Sequence, residues 1–162
     1  MALRRTALFL TGSRKPGYPG RVSIGAEELL RGASLRVTRP RLAVLDAVTG
    51  HPHSDTDTVV RAVREELPEV STQAVYDVLR ALTVAGLVRR IEPAGSVARY
   101  EARVGDNHHH VVCRGCGTIA DVDCAVDYRP CLVASDDHGF VIDEAEVTYW
   151  GLCPACAALP VD

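Results

Sequence analysis

A chain of 162 residues with 47% hydrophobic and 24% charged side chains has a globular composition, neither disordered nor membrane-embedded, and no apolar run approaches the roughly 20 residues a spanning helix requires. Its net charge of −3 alone argues against a nucleic-acid partner. The charge is uneven, however: residues 1–34 carry +4, residues 35–105 carry +1 and residues 106–162 carry −8. This asymmetry fits two modules, one able to approach phosphate and one rich in oxygen donors for cations.

The opening MALRRTALFLTGSRKPGYPG has no helical or alternating pattern, and its apolar patch ALFL is too short for the h-region of a secretory signal. Residues 1–23 are expected to be a disordered extension and the protein to be cytoplasmic.

RVTRPRLAVLDAVTGH reads as a helix, with Thr38 as N-cap, Pro40 tolerated in the first turn, Leu42, Leu45 and Val48 at helical spacing, and Gly50 at the end. SDTDTVVRAVREELP follows, capped by Ser54 or Asp55, with Val59, Val60, Val63 and Leu67 on one face and Pro68 as the stop. A third helix starts at Ser71, buries Val75, Val78, Leu79 and Leu82, and turns at Gly86. LVRRIEP and SVARYEA then form a hairpin-like pair around PAGS.

Three helices and a hairpin make the pattern of a winged helix-turn-helix over residues 24–103; an ordinary small α/β domain is the alternative. In the winged-helix reading the third helix enters the major groove and offers Ser71, Thr72, Gln73, Tyr76 and Arg80 to base edges. Arg39 and Arg41 near the first helix, with Arg89, Arg90 and Arg99 on the hairpin, would contact phosphates. The plainer reading of the same face is a solvated helix surface.

Four of the six cysteines stand in two Cys-x-x-Cys pairs, Cys113 with Cys116 and Cys153 with Cys156. Each two-residue loop can curl both sulfurs onto one metal, so two pairs can supply the tetrahedral thiolates of a structural Zn(II). A redox dithiol would instead need one pair opening a helix in a βαβ unit. Cys124 and Cys131 lack this spacing and read as buried apolar thiols or a redox-active pair, burial being the commoner fate of free cysteine.

HHHVVC is strand-like, which puts His108 and His110 on one face and His109 on the other. With Glu101 upstream and Asp121 downstream, the first two make a nitrogen and oxygen site suited to Fe(II), Mn(II) or Zn(II). A solvated histidine-rich turn is the bland alternative. From another class comes a zinc-dependent hydrolase with Glu101 as base, which would need an open coordination position and a cleft.

TRPRLAVLDAV, VSTQAVYDVLRALTVAGLVRRI, ARYE, HHHVVCRGCG and GFVIDEAEVTYWGLCPAC, in that order over about residues 24–157, resemble the ferric uptake regulator (Fur) family. DNHHHVVCRGCGTIADVDCAV and YWGLCPAC are similar to its peroxide-responsive FurA/CatR branch. The resemblance implies an α+β homodimer, with an N-terminal winged helix-turn-helix and a small zinc-containing α/β dimerisation domain over residues 104–162. It implies a repressor of pseudo-palindromic double-stranded operators, not an enzyme and not a membrane protein. Derepression would follow peroxide oxidation of an iron-loaded site controlling catalase or other oxidative-stress genes. An iron-level or zinc-level sensor controlling metal uptake is the runner-up.

Carried over by position, Cys113, Cys116, Cys153 and Cys156 match the structural zinc ligands, and His53, Glu101, His108, His110 and Asp121 match the sensory Fe(II) or Mn(II) ligands. HPHSD also offers His51; His53 is preferred because it lies six residues before Val59, as the family ligand does. An aspartate at 121, where iron-sensing members often have glutamate, resembles the peroxide branch. A third family site would involve His109 and His138, although Ala145 stands where the family often has a histidine.

Overall fold

The fold is that of a computed structural model describing residues 25–126 and 130–159; the extension expected over residues 1–23 lies outside them. Helix α1 (Ala26–Gly32) buries Leu30 alone, too little to announce itself by periodicity. Helix α2 (Arg39–Gly50) begins after Thr38 with Pro40 in its first turn, and buries Ala43, Val44, Leu45, Ala47 and Val48. Strand β1 (Ser54–Asp55) leads directly into helix α3 (Thr56–Glu66), where the Asp55 carboxylate accepts the Thr58 N–H at 2.8 Å and Val59, Val60 and Val63 are buried. In helix α4 (Thr72–Val84) the Ser71 hydroxyl accepts the Ala74 N–H at 3.1 Å, and Val75, Leu79 and Leu82 face inward. Gly86, at φ +68°, ends the run in the left-handed region that glycine adopts without a Cβ penalty.

Strands β2 (Arg89–Ile91) and β3 (Arg99–Glu101) form the antiparallel hairpin, and β1 adds to it in the order β1-β3-β2. These helices and strands close on one apolar cluster running from Leu30 to Tyr100. The α+β class and the winged helix-turn-helix order are as the sequence predicts.

A second sheet follows, ordered β5-β4-β6, in which β4 (His108–Cys113) pairs antiparallel with β5 (Ile119–Asp123) and parallel with β6 (Thr148–Gly151); a short α5 (Pro154–Ala157) ends it. Beyond residue 104, Val112 and Cys113 are the buried apolar side chains among the described residues, while Val133, Phe140, Val141 and Leu152 are exposed. This sheet therefore contributes little apolar burial of its own to stability. No helix among the described residues is long and apolar enough to cross a membrane.

Candidate functional site

The two sheets meet at a cluster of imidazoles and carboxylates. Antiparallel pairing sets Ser54 against Tyr100, which leaves His53, one residue earlier, beside Glu101. In the second sheet His110 pairs with Asp121, so both side chains rise from the same face. His53 Nε2 lies 2.7 Å from Asp121 Oδ1 and 3.1 Å from Glu101 Oε2, and His110 Nε2 lies 3.1 Å from the same Glu101 oxygen. All four donor atoms fall within 4.8 Å of one another.

Glu101 and His110 are almost fully buried, and His53 adopts a left-handed φ of +58°, uncommon outside glycine. Burial pushes the Glu101 carboxyl up, but hydrogen bonds from His110 and His53 overcome it and hold the group well below the usual carboxylate range. The hydrogen bond to Glu101, against the cost of burial, raises His53. A buried carboxylate ringed by imidazoles is a donor set with the chemistry for a divalent first-row metal.

His51 stays outside this cluster, its Nδ1 3.1 Å from the Ala47 carbonyl at the end of α2. His108, expected as a fifth donor, is buried with its Nε2 3.1 Å from the other Glu101 oxygen, Oε1. The carboxylate therefore separates it from the four-donor group. Two residues without a sequence motif hold the arrangement. Asp106 Oδ1 accepts from His108 Nδ1 at 2.7 Å, and its Oδ2 accepts from Arg103 Nε at 2.6 Å. Arg103 also reaches Asp121 Oδ2 at 3.2 Å and Asp123 Oδ1 at 2.7 Å. A single arginine beside two β-prone runs gives no spacing signal from which this role could be read.

The four paired cysteines converge because β4 and β6 run parallel: Cys113, the last residue of β4, pairs with Gly151, the last of β6, so Cys113 and Cys116 lie beside Cys153 and Cys156. The sulfurs lie within 4.8 Å of one another, Cys116 and Cys153 being 3.7 Å apart. The Cys153 N–H points at Cys113 Sγ, 3.2 Å away; it and the Cys116 N–H pull the Cys113 thiol down to about 6. Cys156 is pushed up to about 12 because its thiol faces those of Cys153, Cys116 and Cys113. Such thiols ionise together only around a cation. Gly115 permits the close approach: a Cβ there would lie 3.0 Å from Cys156 Sγ.

His109, on the opposite face of β4, does not meet His138. The latter is exposed, with Nδ1 3.4 Å from Asp136, because it sits in a turn at φ +50° outside the second sheet. His109 instead lies with Cys124 and Cys131, which are partly exposed rather than buried.

Along α4, Ser71, Thr72, Gln73, Tyr76 and Arg80 are exposed, as is Arg39, while Arg41 donates to the Arg36 carbonyl at 2.7 Å. Gln73, Tyr76 and Arg80 line one wall of a groove of about 610 Å³ whose other wall includes Arg90, Val97 and Ala98. Arg99 departs from the expected phosphate contact. Arg99 is half-buried, with Nη1 3.4 Å from the His53 carbonyl and a buried Nε without a partner among the described residues.

Residues 32–149 match the ferric uptake regulator family model. The chain belongs to the ferric uptake regulator family. It is 72% identical over 130 residues to the transcriptional regulator FurA of Mycobacterium tuberculosis, covering 80% of this chain and 88% of that one. Among solved structures it resembles the ferric uptake regulator of Pseudomonas aeruginosa with manganese, at a TM-score of 0.62 and 25% identity over 81% of this chain and 99% of that one. The Campylobacter jejuni peroxide stress regulator gives a TM-score of 0.59 and 26% identity, over 80% of this chain and 95% of that one. Fur proteins are transcriptional regulators, not enzymes; the hydrolase and dithiol oxidoreductase readings fall away.

Proposed function

We propose that this Fur-family chain is a metal-dependent repressor that binds pseudo-palindromic operator DNA as a homodimer and releases it on oxidation by peroxide. Residues 24–103 would be the DNA-binding part and residues 104–162 the metal-binding, dimerising part. The observation that carries the reading is the origin of the four donors: His53 precedes the α3–α4 unit, Glu101 ends the hairpin, and His110 and Asp121 stand on the second sheet. A cation held by all four fixes the recognition helices relative to the dimerising sheet, and it favours that arrangement because an open one lacks the complete donor set.

Cys113, Cys116, Cys153 and Cys156 would hold a structural Zn(II), and His53, Glu101, His110 and Asp121 a regulatory Fe(II) or Mn(II), with His108 joining if Glu101 turns. The exposed apolar residues of the second part, Val133, Phe140 and Val141 among them, support its pairing with a second copy. Ser71, Thr72, Gln73, Tyr76 and Arg80 would read the major groove, with Arg39 and Arg41 on phosphates.

Iron, when bound, supplies the one-electron reduction of peroxide. His53 and His110 are the oxidisable side chains of the donor set, and losing either as a nitrogen donor unties the two parts. The likeness to a peroxide stress regulator supports this finer reading. Fluorescence anisotropy of the zinc-loaded protein on its own upstream duplex, at fixed salt because phosphate contacts are salt-dependent, is the test. Tight binding with Mn(II) or Fe(II), abolished by peroxide only in the iron form, is expected. Binding that ignores Mn(II) and follows Zn(II) would replace this reading with a zinc-level sensor.

A further inference from the structure

We propose that His109, Cys124 and Cys131 form a third metal site, for a thiophilic divalent cation of the zinc class. Alternation along β4 sends His109 to the face opposite His108 and His110, so the site is separate from the nitrogen and oxygen cluster, and it shares no residue with the four paired cysteines. Cys131 Sγ lies 3.3 Å from His109 Nε2, and the three donor atoms are all within 4.8 Å of one another. The imidazole is only 4% exposed, and the ring of Tyr149 stands edge-on to it with centroids 6.3 Å apart.

Backbone contacts hold this arrangement in place. The Cys124 N–H donates to the Asn107 carbonyl at 3.2 Å, and the Asn107 side-chain amide donates to the Val126 carbonyl at 3.0 Å. Cys124 is thereby fastened beside the start of β4, two residues from His109. Neither cysteine is buried among apolar side chains as a structural thiol would be; both are partly exposed and converge on a ring nitrogen.

Two thiolates and an imidazole favour Zn(II) over Fe(II) or Mn(II), which prefer harder oxygen-rich sets. Three protein donors leave a fourth position open, so this cation should exchange more readily than one closed in by four cysteines. Its binding would tie the chain that follows β5 back onto β4, in a part of the molecule with almost no apolar core.

The test is anaerobic titration of the full-length protein, prepared with one equivalent of zinc per chain so that only the four paired cysteines are filled, with Co(II) under reductant, read by absorption and by released zinc. A thiolate-to-cobalt charge-transfer band appearing without zinc release is expected. The Cys124→Ser/Cys131→Ser variant should lose that band and keep the weak absorption of cobalt on the nitrogen and oxygen cluster. Cobalt binding with no charge-transfer band, a band that survives in the double variant, or a band that grows only as zinc is released would each overturn the site. Should the double variant fail to fold, His109→Asn serves instead. It should weaken the cobalt affinity read from the band by at least the roughly tenfold that even an outer partner of a metal ligand contributes, and unchanged affinity would overturn the proposal.

Discussion

Arg103 makes three carboxylate contacts from one guanidinium, and one of those carboxylates, Asp121, is a donor of the four-donor cluster. Through Asp106 it also fixes His108, which in turn holds Glu101. Outer partners of this kind set the orientation of metal ligands and typically contribute 10- to 100-fold in affinity. Arg103→Gln should therefore weaken Mn(II) binding by about that factor while leaving zinc content unchanged; calorimetric titration beside elemental analysis separates the two. Gly115 makes the opposite kind of contribution, by absence. A methyl group there would press on Cys156 Sγ at 3.0 Å, and a sulfur held by a cation has little room to retreat. Gly115→Ala should release zinc to a chelator faster than wild type and leave the Mn(II) response intact. Retention as slow as wild type would mean that Cys156 is not a ligand.

Caps and pairings at the scale of single elements decide where these residues stand. Asp55 ends β1, caps α3 and lies two residues from His53, so the cap also sets the chain's exit from the site. Asp55→Ala should cost about 1 kcal/mol, the usual loss for an N-cap, visible in thermal or urea unfolding. Hydrogen bonds from the Thr58 side chain and then its N–H hold the Asp55 carboxyl below its ordinary 3.8. Its stabilisation is thus complete above that pH and lost as the pH falls through the lower folded-state value, so the two proteins should converge in acid.

The same scale explains what was legible in the sequence. Helices α2, α3 and α4 were readable because each repeats apolar residues over three turns or more between a cap and a Gly or Pro stop. Strand β1, with two residues, shows no alternation, yet its pairing is what favours His53 over His51. His109 with Cys124 and Cys131 was hidden for a related reason. Their spacing fits no metal motif, and the contacts through Asn107 that join them exist only once β4 and β5 have paired.

Two kinds of link join the halves of the molecule, and their sizes differ. Arg89 of β2 bridges Glu144 at 3.0 Å, but Glu144 is 55% exposed, and pairs in water contribute about 0–1 kcal/mol and weaken with salt. Glu144→Gln should therefore change Mn(II)-dependent operator affinity by less than about fivefold, the equivalent of 1 kcal/mol, with the difference shrinking further as salt is raised. His53→Ala removes a half-buried donor of the helical half that reaches Asp121 across the junction at 2.7 Å, and it should abolish the Mn(II) response while zinc stays bound. Anisotropy titrations of both variants at two salt concentrations decide between the links. If Glu144→Gln matched His53→Ala in its effect, the surface ion pair rather than the four-donor set would be what couples metal to DNA, and the role given to the four-donor cluster would have to be withdrawn.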